Sequence, residues 1–191
     1  MSRASTLIRS ARKCQSLTQV YLAKKAQVHQ SNISDIESGR DLSVSTLERL
    51  LQGTGHKLFA LPIQRADVTE AASAIRVHLK GGNTQSALRV LIQLNNNLVS
   101  EHGLRRGVLG LCEPEPTANQ VWDAALAGLV AWRLTEENIP LPAWVDKARF
   151  FLPLPRSLRI DSADPIPAIS DIPPEFARRG VLVWADTFES V

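Results

Sequence analysis

Apolar residues recur at helical spacing from the beginning of the chain. Leu7, Ile8 and Ala11 share one side of a segment running through Arg12 to Cys14. A break near Ser16 lets Thr18 serve as N-cap of a second helix, Gln19 to Ala26. Val28 and His29 form a tight corner. A third helix, about Gln30 to Ser38, turns Ile33 and Ile36 inward and stops at Gly39, where glycine is at ease with positive φ. Ser43 caps a fourth, with Val44, Leu47, Leu50 and Leu51, which ends at the Gly53 to Gly55 stretch. The short apolar run Lys57-Leu-Phe-Ala-Leu61, closed by Pro62, carries a strand signal.

The pattern changes around Gln64 to Asp67. Asp67 followed by Glu70 has the spacing of a capping box for a helix through about Lys80, ended by Gly81 and Gly82. Asn83 caps the next, Thr84 to about His102, whose wide apolar face of Ala87, Leu88, Leu91, Ile92, Leu94 and Leu98 is partly crossed by Asn95, Asn96 and Asn97. Glu113-Pro-Glu-Pro116 is a loop, and Thr117 begins a third helix through Leu134, with Val121, Trp122, Leu126, Leu129 and Val130 available for burial. Eight of the eleven prolines lie from Pro140 onward, so long helices are excluded there and the tail is expected to lie extended across the surface of the helices. Gly180-Val-Leu-Val-Trp184 reads either as a strand or as an apolar peg. The fold class is therefore mainly α, with a front module over residues 1–65 and a helical domain over 66–191 whose Pro-rich tail starts at about 140.

Composition narrows the function classes. Apolar residues are 44% and charged residues 21%, an ordinary globular balance. The apolar runs fall short of the roughly 20 residues that span a bilayer, and the opening residues hold no apolar stretch, so a cytoplasmic rather than a secreted or membrane protein is expected. Cys14 and Cys112, far apart and without a ligand cluster, suggest neither a disulfide framework nor a metal site. The net charge of +3 hides an asymmetry: residues 1–65 carry ten basic and four acidic side chains, net +6, and residues 66–191 carry net −3. A basic front module points to nucleic acid at that end and different work at the other.

Two short helices around a three- or four-residue corner, with Leu22, Ala23, Val28, Ile33 and Ile36 inward, form the helix-turn-helix pattern. Ala23 sits where the helices cross and a larger side chain would force them apart. Leu17-Thr-Gln19, Leu22-Ala23, Gln30-Ser31, Ile33-Ser34, Ile36-Glu37, Gly39-Arg40 and Ser43-Val-Ser-Thr-Leu47 together resemble the phage-repressor-like, or Xre, helix-turn-helix family over residues 5 to about 61. The resemblance implies a lambda-repressor-like domain that reads double-stranded operator DNA. It assigns Gln19 to a phosphate or to bracing a base-contacting side chain, and Gln30, Ser31 and Asp35 to base edges, flanked by Asn32 and Ser34. A glutamine amide pairs with adenine in the major groove, discriminating by roughly 1–3 kcal/mol. Arg40 is assigned to phosphate, which positions the module without specifying sequence. Arg12 and Glu37 match a structural ion pair between the first and third helices. Family members usually dimerise, with half-sites about one helical turn apart, and residues 57–61 are one possible joint, pairing with a copy or packing within their own chain.

Two positions depart from the family pattern. Gln27 stands where glycine is usual, and His29 stands where a better cap would be Ser, Thr or Asp; His29 is then either a DNA contact or a surface histidine. Asp35 near phosphates is awkward unless it accepts from a cytosine amino group.

The back half holds no GxGxxG, Walker, HExxH or GxSxG signature, so neither catalysis nor a cofactor is expected. His78 and His102 read as surface or satisfied histidines, and Asp123, Glu136 and Glu137 as solvated helix-face charges. Trp122, Trp132, Trp144 and Trp184 read chiefly as core. Leu141-Pro-Ala-Trp144, Pro173-Pro-Glu-Phe176 and Arg178-Arg179 are similar to the tails of bacterial proteins encoded beside nucleotidyltransferase-type toxins. That similarity implies a toxin partner and an antitoxin role in a type II pair. The alternative is a stand-alone Xre-type repressor whose back half senses a ligand or dimerises.

Overall fold

A computed structural model describes residues 3–158 and 165–189, which excludes part of the Pro-rich tail and its last two residues. The chain divides into two compact units, Met1–Pro62 and Ile63–Val191, a boundary three residues before the composition change at residue 65.

The first unit contains α1 (Arg3–Cys14), α2 (Gln19–Lys25), α3 (Gln30–Glu37) and α4 (Val44–Gly53). Its core is Ile8, Leu22, Ala23, Ala26, Ile33, Ile36 and Leu50, with Val28, Leu42 and Leu47 packed against it. Thr18 and Ser43 cap α2 and α4 by accepting from the N–H groups of Tyr21 at 3.1 Å and Thr46 at 3.3 Å. His29 stands at the cap position of α3 without a side-chain cap bond.

The C-termini share a device. After α3, the N–H of Gly39 donates to Ile36 O and that of Arg40 to Asp35 O, both at 3.0 Å. This closure needs a left-handed residue after the cap, and Gly39 supplies it at φ 116°. After α2 the same closure runs from Gln27 N to Lys24 O and from Val28 N to Ala23 O, with Gln27 at φ 53°. The missing turn glycine is accommodated by a strained glutamine, and the corner keeps its geometry.

Lys57–Leu61 is not a strand. The segment has no regular structure, and Phe59 is 70% exposed. A strand needs a partner ladder, and none is formed here among the described residues, where the first unit is otherwise helical.

In the second unit, α5 (Val68–Lys80) and α6 (Thr84–Val99) form a hairpin, followed by α7 (Gly103–Leu111), α8 (Gln120–Thr135) and the four-residue α9 (Pro174–Ala177). Asp67 and Glu70 close the capping box of α5. The helix expected to run to about His102 stops at Val99, and a further helix, α7, follows before the Glu113–Pro116 loop. Glycines 103, 107 and 110 argue against a helix by propensity. Packing overrides them: a Cβ on Gly110 would lie 2.6 Å from Val130 Cγ1, so its bare backbone lets α7 approach α8. The last helix of the group starts at Gln120, capped by Asn119, rather than at Thr117. Thr117 instead donates its N–H and hydroxyl to Asp123, each at 2.8 Å, so Asp123 is not a free helix-face charge.

The α8 helix is buried around most of its circumference, from Trp122 through Leu134. The tail helps to enclose it. Among the described residues it holds short turns, α9 and a two-residue parallel pair, β1 (Arg156–Ser157) with β2 (Val181–Leu182), and no long helix. It does not merely cross the surface, however: Trp144, Val145, Phe150, Phe176, Val181, Val183 and Phe188 are buried in the core. Phe176 and Phe188 stack at 5.3 Å, and Trp132 meets both edge-on. Trp122 and Trp144 are buried, whereas Trp132 and Trp184 are half-buried.

Two of the polar side chains inside this core, Asn95 and Arg106, reach backbone carbonyls of distant segments. Asn95 donates to Phe188 O at 2.9 Å and accepts from Arg133 at 2.6 Å. Buried Arg106 donates to Val99 O, Glu101 O and Arg133 O, gathering two helix C-termini on one cation. Glu137 accepts from Gly103 N and His102 and pairs with Arg106 at 3.1 Å, so it is engaged rather than free in solvent. The first two of these hold its carboxyl below the usual range.

Candidate nucleic-acid interface

The exposed side of α3 carries Gln30, Ser31 and Asp35, with half-buried Ser34 between them and exposed Asn32 further round the helix. Ile33, Ile36 and Glu37 occupy the opposite side and are buried. A 3.6-residue period with inward positions 33, 36 and 37 leaves one polar face outward.

A chain of hydrogen bonds runs from the interior to that face. Glu37, 2% exposed, receives Arg12 Nε at 2.7 Å and Arg12 Nη2 at 2.8 Å, a bidentate pair between α1 and α3. Arg12 also donates to Leu17 O at 2.8 Å, tying the α1–α2 turn to the same cation. Arg9 donates to the Glu37 carbonyl and lies 3.8 Å from its carboxylate. Sequence reasoning named Arg12 but not Arg9; the signal was their i, i+3 spacing on one side of α1. Burial acts to raise the Glu37 pKa, but hydrogen bonds from Arg12 and Gln19 and the charges of Arg12 and Arg9 outweigh it. The carboxyl is held below its usual value.

Because ionised Glu37 only accepts, it orients everything beyond it. Gln19 must turn its NH2 toward the carboxylate, and Nε2 donates to Glu37 Oε2 at 3.0 Å. The Gln19 oxygen therefore faces outward and accepts from Gln30 Nε2 at 3.0 Å. Gln30 is left with one N–H and its carbonyl oxygen unused by this chain of bonds. That donor–acceptor set is what adenine N7 and N6 require.

The remaining positions are less constrained. The Ser31 hydroxyl meets His29 Nδ1 at 3.2 Å. The carbonyl of Ser34 accepts from the Ser38 hydroxyl at 2.8 Å. Asp35 and Arg40 are both exposed and 3.5 Å apart, so the arginine partly offsets a carboxylate that would otherwise repel phosphate. Along α2, Lys24 and Lys25 are exposed in the last turn, and the Lys25 ammonium lies 5.7 Å from the centre of the Tyr21 ring.

Residues 8–57 match the family model for the helix-turn-helix. The first unit is a helix-turn-helix domain. It is of the Xre, lambda-repressor-like kind, and it makes the protein a DNA-binding transcription regulator. The match ends before the second unit begins. No curated protein and no solved structure matches the chain. Among the described residues, no group of three or more His, Cys, Asp or Glu side chains could hold a metal ion, and no helix is long and apolar enough to cross a membrane.

Proposed function

We propose that the protein is a sequence-specific repressor that binds double-stranded operator DNA as a homodimer and controls its own operon. The observation that carries this is the relay from the buried Arg12–Glu37 pair through Gln19 to Gln30, which presents an outward amide in a fixed sense. A fixed amide discriminates between bases because the wrong base leaves its donor or acceptor unpaired. Arg40 and the other exposed cations of the net +6 front segment supply the sequence-independent attraction.

Within this role the protein acts as the antitoxin of a type II pair, its back unit holding a toxin of the nucleotidyltransferase type. The similarity of the tail, Pro173-Pro-Glu-Phe176 and Arg178-Arg179, supports that assignment. The second reading, a stand-alone repressor, is favoured by the burial of Phe176, Arg179 and Phe188 in the protein's own core, where they are not free to wrap a partner.

A gel shift with the DNA upstream of its own gene, at low salt and beside a working control repressor, tests the operator assignment; no shift refutes it. Co-expression with the product of the neighbouring gene tests the rest. Relief of growth arrest supports the antitoxin, and a harmless neighbour with no stable complex supports the stand-alone repressor.

A further inference from the structure

His29 stands at the cap position of α3, but its side chain makes no cap bond. The ring turns instead to the next residue but one, where Nδ1 meets the Ser31 hydroxyl at 3.2 Å. Both side chains are exposed beside Gln30, at the end of α3 that a helix-turn-helix directs toward base edges. The charged and titratable groups of the surrounding elements are open to solvent or engaged elsewhere. Lys24 and Lys25 end α2 in exposed positions, with the Lys25 ammonium 5.7 Å from the centre of the Tyr21 ring. Asp35 of α3 faces Arg40 at 3.5 Å. Helix α4 closes on the end of α2 through Gly53, where a Cβ would lie 3.0 Å from Leu22 Cδ1. Just beyond it, His56 Nδ1 meets the hydroxyl and the carbonyl of Thr54, each at 3.0 Å.

A hydroxyl has one hydrogen and two lone pairs, so the partner Ser31 uses within the protein decides what it offers outside. Neutral imidazole with its proton on Nε2 accepts at Nδ1. The Ser31 hydrogen then points to the ring and its lone pairs face the groove, where they suit the N4 amino group of cytosine. Imidazolium carries a proton on each nitrogen and only donates. Its Nδ1–H occupies a Ser31 lone pair and turns the hydroxyl hydrogen outward, toward N7 or O6 of guanine. A histidine changes charge between about pH 5 and 8, so this pair has two senses where the relay ending at Gln30 has one. The carboxyl that sets that relay, Glu37, is held below its usual range and stays acceptor-only across the interval. We propose that His29 is a specificity-determining residue that sets the hydrogen-bond sense of Ser31, so that the base read there changes with the protonation of the imidazole. The inference rests on the proposed sequence-specific reading of DNA and adds to it a second, reversible reader.

The test is selection of bound duplexes from a randomised pool by the full chain, at about pH 5.5 and at about pH 8. One position of the enriched motif, next to that read by Gln30, should change from cytosine at the higher pH to guanine at the lower. The reversal should amount to about tenfold in relative affinity. The adenine opposite Gln30 should stay at both, which shows the reading helix in place. His29→Gln should enrich one and the same base at both pH values. Ser31→Ala should lose the preference at that position at both, and His56→Gln should keep the change. A motif identical at both pH values, as a plain phosphate contact by His29 would give, or a change that survives His29→Gln would overturn the assignment and leave sequence-specific reading in place. No enriched motif at either pH would sink that reading, and this assignment with it.

Discussion

Glu37→Gln keeps the shape of an enclosed side chain and deletes its charge. Arg12 and Arg9, 13% and 19% exposed, would then lose the carboxylate charge they share. Breaking a fully buried pair from one side costs roughly 3–5 kcal/mol, and the residual solvent access of the arginines lowers this to about 2–4 kcal/mol. A unit of about sixty residues ordinarily holds roughly 3–9 kcal/mol, so the variant should lose a large share of its stability and melt about 10–20 °C lower. The two units can be followed separately, because all four tryptophans lie in the second, whereas backbone ellipticity reports both. Tryptophan fluorescence should be unmoved while part of the ellipticity melts early. The pH dependence has a definite sign. Glu37 has a depressed pKa in the folded state, so its contribution is full above the unfolded value of about 4.3 and disappears as pH falls through the folded one. The gap between wild type and variant should therefore close in acid. A first-unit transition that does not move, or a gap that persists unchanged to pH 3, would refute the ion-pair account.

The other predictions are independent of it. Gln27→Gly should stabilise the first unit by about 0.5–1 kcal/mol in urea melts, by relieving a φ of 53°. Gly110→Ala should destabilise the second by roughly 1–3 kcal/mol, read by tryptophan fluorescence, because the new methyl meets Val130 at 2.6 Å. Removal of residues 173–191 should expose ANS-binding surface and unfold the second unit, since Phe176, Val181 and Phe188 leave the core with it. In titrations of operator and random duplexes, Gln30→Ala should relax base preference, whereas Arg40→Ala should weaken both alike and lower the salt slope by about one; identical behaviour of the two would remove their distinct roles.

Local chemistry carried most of the first unit. Caps at Thr18 and Ser43, a left-handed stop at Gly39 and apolar positions at helical spacing act within a few residues of one another, so linear order was enough to place α2, α3 and α4 and the polar face between them. The same logic failed in the second unit wherever distant partners decided the outcome. Helix α7 has poor propensity and forms because Gly110 can press against Val130 twenty residues later. The tail reads as a proline-rich surface strap but is drawn inward, because Trp144, Phe150, Phe176 and Phe188 have more apolar surface to bury than prolines forbid. Lys57–Leu61 has the composition of a strand and lacks a ladder to join. The relay from Glu37 to Gln30 shows the division most clearly. Its residue types were legible one by one, but their hydrogen-bond sense follows from an acceptor-only carboxylate that folding brings from α3 to meet Arg12 of α1 and Gln19 of α2.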